Sequence, residues 1–159
     1  MSHATADLYD EHGEALQIAS PIFHDFGGNV AFEGPVVTLK VFEDNSLVRA
    51  ALEEPGNGRV LVVDGGGSMR CALVGDMLAE LGRENGWAGI VVYGGVRDAA
   101  QLSHMTIGIK ALGTNPRKSV KKGEGARDVV LRFAELVVKP GQYLYADRDG
   151  IVVAEERLG

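Results

Sequence analysis

Residues 59–98 read RVLVVDGGGSMRCALVGDMLAELGRENGWAGIVVYGGVRD. An apolar run from Arg59 to Asp64 meets the glycines Gly65, Gly66 and Gly67. A stretch with Val74, Met77, Leu78 and Leu81 on one face follows and stops near Gly86. A second apolar run, Gly89 to Tyr93, then meets Gly94-Gly95 and the charged pair Arg97-Asp98. Short runs rich in β-branched residues form buried strands, and an apolar period of 3.6 forms an amphipathic helix. The order is therefore strand, helix, strand. Such a βαβ unit has parallel strands joined by a right-handed crossover. Both glycine turns are expected at the carboxyl edge of the sheet, where open α/β sheets bind ligands.

The pattern extends outward in both directions. Further strands are expected at Val36–Phe42, Ile107–Leu112, Val129–Val138, Gln142–Tyr145 and Ile151–Ala154. A helix capped by Asp44 or Asn45 should run to Glu54, before Pro55-Gly56, with Leu47, Val48, Ala51 and Leu52 as its apolar stripe. The last strands follow one another through Pro140-Gly141 and Asp147 to Gly150, which favours antiparallel pairing. The expected fold is α/β, a mixed sheet with a central βαβ unit, in a single domain over residues 1–159 with no internal repeat.

Composition narrows the function classes. The chain has 159 residues, 16 basic against 22 acidic, a net charge of -6 and 45% hydrophobic residues, enough to close one core. Charges or glycines break every apolar run well short of the roughly 18 residues a membrane span needs, and Met1–Glu11 is acidic rather than signal-like. These features point to a cytoplasmic protein. The acidic balance argues against a general nucleic-acid surface, and the one basic cluster, Arg117, Lys118, Lys121 and Lys122, reads as a solvated loop. Cys71 has no partner for a disulfide or a zinc site and reads as a small buried residue. His3, His12, His24 and His104 form no pair at metal-ligand spacing, and Ser68 and Ser103 lack an evident base.

Glycine stands out, with 22 residues where an average share of about 7% gives roughly half as many. Asp64–Arg70 nevertheless fails as a nucleotide loop. Arg70 stands where a dinucleotide fingerprint needs its third glycine, no Gly-Lys-Ser/Thr ending follows, and Ser68 replaces the later glycine of a methyltransferase turn. Gly75-Asp76-Met77-Leu78 lies at a helix start, where free amides and the positive dipole end suit a small carboxylate. Asp76 can equally serve only to stabilise that helix end. Asp98 beside a glycine-rich concavity suits a hard cation such as Mg²⁺, which takes one or two protein carboxylates and keeps several waters. The planar fork of Arg97 suits a substrate carboxylate or enolate oxygen, although a surface ion pair would look the same. The βαβ topology brings Asp76 to the same edge as Arg97 and Asp98.

Phe26-Gly27-Gly28, Gly34-Pro35, Phe42-Glu43-Asp44-Asn45, Val62-Val63-Asp64-Gly65-Gly66-Gly67-Ser68, Gly94-Gly95-Val96-Arg97-Asp98, Gly108-Ile109-Lys110-Ala111 and Asp149-Gly150-Ile151 together carry a resemblance. Through them the chain resembles the regulator of ribonuclease activity A (RraA) proteins and the related 4-hydroxy-4-methyl-2-oxoglutarate aldolases. The aldolases are marked by an Asp, twenty residues, then Arg-Asp, which Asp76, Arg97 and Asp98 match. The resemblance implies a swivelling β/β/α fold, a homotrimer with sites between subunits, and a divalent cation, Mg²⁺ or Mn²⁺, bound directly by Asp98. It implies that Asp76 positions water, that Arg97 binds the pyruvyl oxygen, and that amides from Gly75 to Leu78, including Met77, hold the substrate carboxylate. It further implies an acidic residue from a neighbouring subunit's carboxyl-terminal region, for which Glu155 and Glu156 are candidates here. The reaction implied is cleavage of 4-hydroxy-4-methyl-2-oxoglutarate and related 2-oxo acids to pyruvate, with oxaloacetate decarboxylation. A second role implied by the family is binding ribonuclease E or an associated helicase and lowering RNA decay.

Overall fold

The computed structural model describes residues 3–159; residues 1 and 2, part of the acidic amino terminus read above, lie outside it. The strands are β1 Gln17–Ile18, β2 His24–Asp25, β3 Phe32–Lys40, β4 Val60–Asp64, β5 Ala72–Val74, β6 Gly89–Val96, β7 Gly108–Thr114, β8 Ala126–Arg127, β9 Leu131–Phe133, β10 Leu136–Val138, β11 Tyr143–Asp147 and β12 Gly150–Ala154. The helices are α1 Thr5–His12, α2 Ser46–Leu52, α3 Asp76–Glu84 and α4 Ala99–Leu102. No helix is long and apolar enough to cross a membrane among the described residues.

The main sheet runs β1-β12-β11-β3-β4-β6-β7-β2, with β3, β4, β6 and β7 parallel and antiparallel strands at both ends. Its centre is covered on both faces, which explains why β4 is apolar without alternation. Leu61, Val63, Ile90 and Val92 point to one core with the α2 residues Val48, Ala51 and Leu52 and the α3 residues Leu78 and Ala79. Val60, Val62 and Val91 point the other way, to a second core with Leu131, Phe133, Leu136, Val138, Leu144 and Ile151. The layers are thus helices, sheet and a β9–β10 hairpin, the β/β/α arrangement expected from the resemblance.

Four local expectations are corrected. Val74 is not on the helix face but ends β5, a strand paired with β6 inside the crossover. Met77 is not in the apolar stripe; it is 73% exposed, because α3 turns Leu78, Ala79 and Gly82 inward. Gly94-Gly95 is not a turn: β6 continues through it to Val96, since β5 and β7 supply pairing partners on either side. Val129–Val138 is not one strand. Ala134 (φ 51°) and Glu135 (φ 65°) are both left-handed and reverse the chain as a two-residue hairpin turn does, pairing β9 with β10.

The first glycine turn does form. Gly66 and Gly67 have φ of 69° and 74°, a conformation that glycine adopts freely. The amides of Gly65 and Gly67 donate to Tyr93 O at 3.0 and 3.1 Å, and that of Gly66 donates to Asp64 Oδ1 at 2.8 Å. The turn is followed by β5 rather than by a helix, and its amides are consumed. That agrees with its failure as a phosphate loop.

Candidate functional site

The parallel register of β5 on β6 places the site. Val74 lies opposite Val96, so the residues that follow, Gly75-Asp76 on one strand and Arg97-Asp98 on the other, emerge side by side. The Arg97 amide donates to Val74 O at 2.9 Å. After β6 the chain turns at Asp98, whose φ of 61° and ψ of 42° are left-handed, a region costly for most side chains and tolerated best by Asp and Asn. The turn carries the carboxylate back toward the start of α3, where Asp98 Oδ2 accepts from the Asp76 amide at 2.9 Å.

Gly75 is the reason this approach is open. A Cβ there would sit 2.6 Å from Asp98 Oδ2 and 3.2 Å from Arg97 Cγ. Its backbone is extended (φ -128°), so the glycine serves close approach and not an unusual dihedral angle. The first helical bond of α3 closes on Gly75 O, from Ala79 N at 3.0 Å. The amides of Met77 and Leu78 therefore belong to the open first turn. The Asp76 amide, grouped with them from sequence, is already occupied by Asp98, which leaves the amides of Met77 and Leu78 without a helical partner.

These groups share a cleft of about 100 Å³ lined by Gly75, Asp76, Met77, Leu78, Arg97 and Asp98, together with Asn45, Arg49, Lys118 and Lys121. The sequence-predicted residues are thus brought together. Asn45, Arg49, Lys118 and Lys121 join them without a local signal in the sequence, where Asn45 reads as a helix cap, Arg49 as an ordinary position of α2, and Lys118 and Lys121 as part of a solvated loop. Asn45 makes no side-chain cap bond. Its Nδ2 donates to Leu73 O at 3.0 Å, and its buried Oδ1 has no partner among the described residues. Arg97 Nη1 donates to Pro116 O at 3.3 Å, tying the guanidinium to the loop after β7.

The donor set fits a hard divalent cation. No group of three or more His, Cys, Asp or Glu gathers among the described residues, whereas a zinc site needs at least three protein ligands. Mg²⁺ accepts one or two carboxylates and completes its shell with water. Asp98 Oδ1 and the Asp76 carboxylate take no protein hydrogen bond among the described residues and remain available as donors.

Cys71, His3, His24 and His104 lie outside the cleft. Cys71 is buried, and burial pushes its thiol pKa up, away from nucleophile chemistry. His24 and His104 are exposed, and His3 Nδ1 lies 3.1 Å from Glu33 Oε1. Glu155 accepts from Gln142 Nε2 at 2.9 Å, and neither Glu155 nor Glu156 lines the cleft of its own chain.

Comparison with known proteins follows this geometry. The RraA-like (aldolase/RraA) family pattern matches residues 5–153. A protein of Alkalilimnicola ehrlichii, provisionally named a 4-hydroxy-4-methyl-2-oxoglutarate aldolase, is 61% identical over 158 residues, covering 99% of this chain and 98% of the relative. The structure titled RNA-processing inhibitor RraA from Thermus thermophilis is 48% identical with a TM-score of 0.96, covering 100% of this chain and 96% of that one. A structure from Geobacillus kaustophilus titled as an S-adenosylmethionine:2-dimethylmenaquinone methyltransferase is 51% identical with a TM-score of 0.96, covering 98% of this chain and 97% of that one. Matched end to end in sequence and in fold, the chain belongs to the RraA-like family.

Proposed function

We propose that the protein is a divalent-metal-dependent lyase that cleaves 4-hydroxy-4-methyl-2-oxoglutarate and related 2-oxo acids to pyruvate, and that it also decarboxylates oxaloacetate. The observation that carries this reading is the Asp98 Oδ2 to Asp76 amide bond of 2.9 Å, which gathers two acids, a guanidinium and an open helix start around one small cleft. The relatives named as aldolases support it.

In this reading the Met77 and Leu78 amides bind the substrate carboxylate at the α3 amino terminus, with Gly75 keeping the approach clear. Arg97 donates to the 2-oxo oxygen and stabilises the negative charge that grows there as the C3–C4 bond breaks. Asp98 would hold Mg²⁺ or Mn²⁺, which supplies Lewis acidity toward the 2-oxo acid. Asp76, with a free carboxylate beside the helix start, orients water that takes the C4 hydroxyl proton. The electron pair of the broken bond remains on the pyruvate enolate, which is then protonated at carbon, and the other fragment leaves as a second pyruvate. Oxaloacetate needs only the enolate half of this sequence, with CO₂ as the leaving fragment. Assembly as a homotrimer would bring Glu155 or Glu156 of a neighbour to the cleft, as the resemblance implies.

Pyruvate release from both substrates should require added Mg²⁺, stop with EDTA, and fall to background in Asp98→Ala. Turnover that ignores EDTA would overturn the proposal. The methyltransferase title is not carried over, because the amides of the glycine turn are spent on Tyr93 and Asp64. The inhibitor title of the Thermus thermophilis structure favours a second reading, binding to ribonuclease E. Under that reading Asp98→Ala retains the partner in a pull-down while losing any catalysis.

A further inference from the structure

We infer that a second pocket, at the carboxyl ends of β3, β4 and β6 on the face of the sheet opposite the helices, binds a small zwitterion, an α-amino acid with an apolar side chain. Its lining includes Lys40, Phe42, Asp64, Tyr93, Glu124 and Arg132 and shares no residue with the cleft that holds Asp76 and Asp98. The strand register builds its floor. Lys40 lies opposite Asp64, and Asp64 opposite Tyr93, so the three form one row across the parallel strands. Side chains alternate between faces along a strand, and Val36, Val60, Val62 and Val91, at even spacing before the row, belong to the core under the β9–β10 hairpin. That core therefore ends in charge, at the edge where open α/β sheets bind ligands. The space above the row has a volume of about 500 Å³.

The charged groups of this pocket are unspent. Asp64 is 6% exposed; its Oδ1 accepts from the Gly66 amide at 2.8 Å, and its Oδ2 takes no hydrogen bond among the described residues. Lys40 is its register partner, yet no ion pair joins Lys40, Asp64, Glu124 and Arg132 among the described residues. A carboxylate so deeply buried needs donors for its oxygens. Elsewhere the chain supplies them. Asp44, also buried, accepts from the Ser46, Lys122 and Glu124 amides at 2.9, 2.8 and 3.1 Å, and the buried Lys110 ammonium reaches Asp25 Oδ1 at 3.1 Å and Asp147 O. At Asp64 the second donor is left to a ligand.

Charge and shape give the ligand its chemistry. Lys40 and Arg132 balance Asp64 and Glu124 in the lining, so a neutral ligand with separated charges fits where a net anion or a net cation leaves one sign unmatched. An ammonium offers Asp64 both a hydrogen bond and the opposite charge. The carboxylate at the other end then meets Lys40 and Arg132. A phosphate fits less well, because the amides of the glycine turn are spent on Tyr93 and Asp64 and side chains alone are left to hold an anion. Two aromatic rings supply the apolar walls. Phe42 is 58% exposed, with the glycine turn so close beneath it that a Cβ at Gly66 would sit 2.9 Å from its Cδ1. The Tyr93 ring is fixed by stacking on Phe133, 4.9 Å between centroids. Groups held in place before binding lose less entropy when the ligand arrives.

The test is a titration of the full-length protein with L-leucine, followed through its backbone amides by NMR. The Gly66 and Tyr93 amides should shift with a Kd of about 1 mM or tighter, while those of Gly75 and Asp98 stay in place. Three analogues remove one feature each: 4-methylpentanoate lacks the ammonium, 3-methylbutylamine lacks the carboxylate, and 2-hydroxy-4-methylpentanoate carries a hydroxyl instead of the ammonium. Each should bind at least about tenfold more weakly, the worth of one charge-assisted contact. Asp64→Asn keeps an oxygen for the Gly66 amide but loses the charge, and should weaken leucine by a similar factor. The pocket is refuted as a zwitterion site if leucine shifts nothing, if the shifts fall at the start of α3, if an analogue matches leucine, or if Asp64→Asn binds leucine as wild type does. Thermal melting checks the variant's fold, and the comparison of leucine with its analogues on the wild-type protein decides the matter even where the variant fails.

Discussion

Replacing Gly75 by alanine tests the site where its geometry is tightest. The added Cβ would lie 2.6 Å from Asp98 Oδ2, while ordinary contact begins at 3.4 Å, so the carboxylate must retreat by about 0.8 Å to regain it. Moved directly away, it would stretch its 2.9 Å bond to the Asp76 amide beyond hydrogen-bonding range. Arg97 Cγ, at 3.2 Å, must shift as well. The fold should survive. The backbone at Gly75 is extended, alanine restricts the unfolded chain by about 0.4–1 kcal/mol, and the lost bond costs about 1–3 kcal/mol. The net destabilisation is therefore about 1 kcal/mol. The site should not survive, because misplacing a reacting group by about 1 Å costs on the order of 10²-fold in rate. Mn²⁺ titration and pyruvate release from oxaloacetate, measured beside a thermal melt, separate the two effects. A Gly75→Ala protein with wild-type metal affinity and turnover would refute the claim that Asp98, Arg97 and the α3 start act as one unit.

Two further predictions concern the frame around the site. Burial of Asp44 opposes its ionisation, but hydrogen bonds from Ser46, Glu124 and Lys122 outweigh that and hold its pKa at about 2, below the ordinary 3.8. The resulting stability is fully present above pH ~4 and is lost as pH falls through about 2. The shift corresponds to about 2 kcal/mol, and urea unfolding from pH 5 downward should lose that increment in wild type but not in Asp44→Asn. In the β9–β10 hairpin, Ala134 and Glu135 hold left-handed dihedral angles that Asn-Gly adopts at lower cost. Ala134→Asn/Glu135→Gly should raise stability by about 1 kcal/mol, read as a higher denaturation midpoint with an unchanged slope.

The elements most legible in the sequence were those whose signals are local. The unbroken apolar run of β4 could only be a strand covered on both faces, and the stripe through Leu78 could only be an amphipathic helix, so the crossover and the meeting of Asp76 with Arg97 and Asp98 followed from topology. Where the reading failed, two local patterns coincided or a long-range contact decided. Val74 fits the helical stripe as well as a strand, and only its pairing with Val96 settles the matter. Gly94-Gly95 resembles a turn until partners on both sides keep it in β6. The hairpin at Ala134-Glu135 carries none of the Asn-Gly chemistry that announces such turns. Lys118 and Lys121 look like a solvated loop because the contacts that fix them come from Ala72, Asn45 and Asp44, about 50 to 80 positions away. The misread strand and the missed lysines are connected. β5 is the element that sets Gly75 against Asp98, and it is also the element whose Ala72 anchors the basic loop. The pairing of Val74 with Val96 and the bridge from Ala72 to Lys118 hold the acidic and the basic walls of the cleft to the two ends of one three-residue strand.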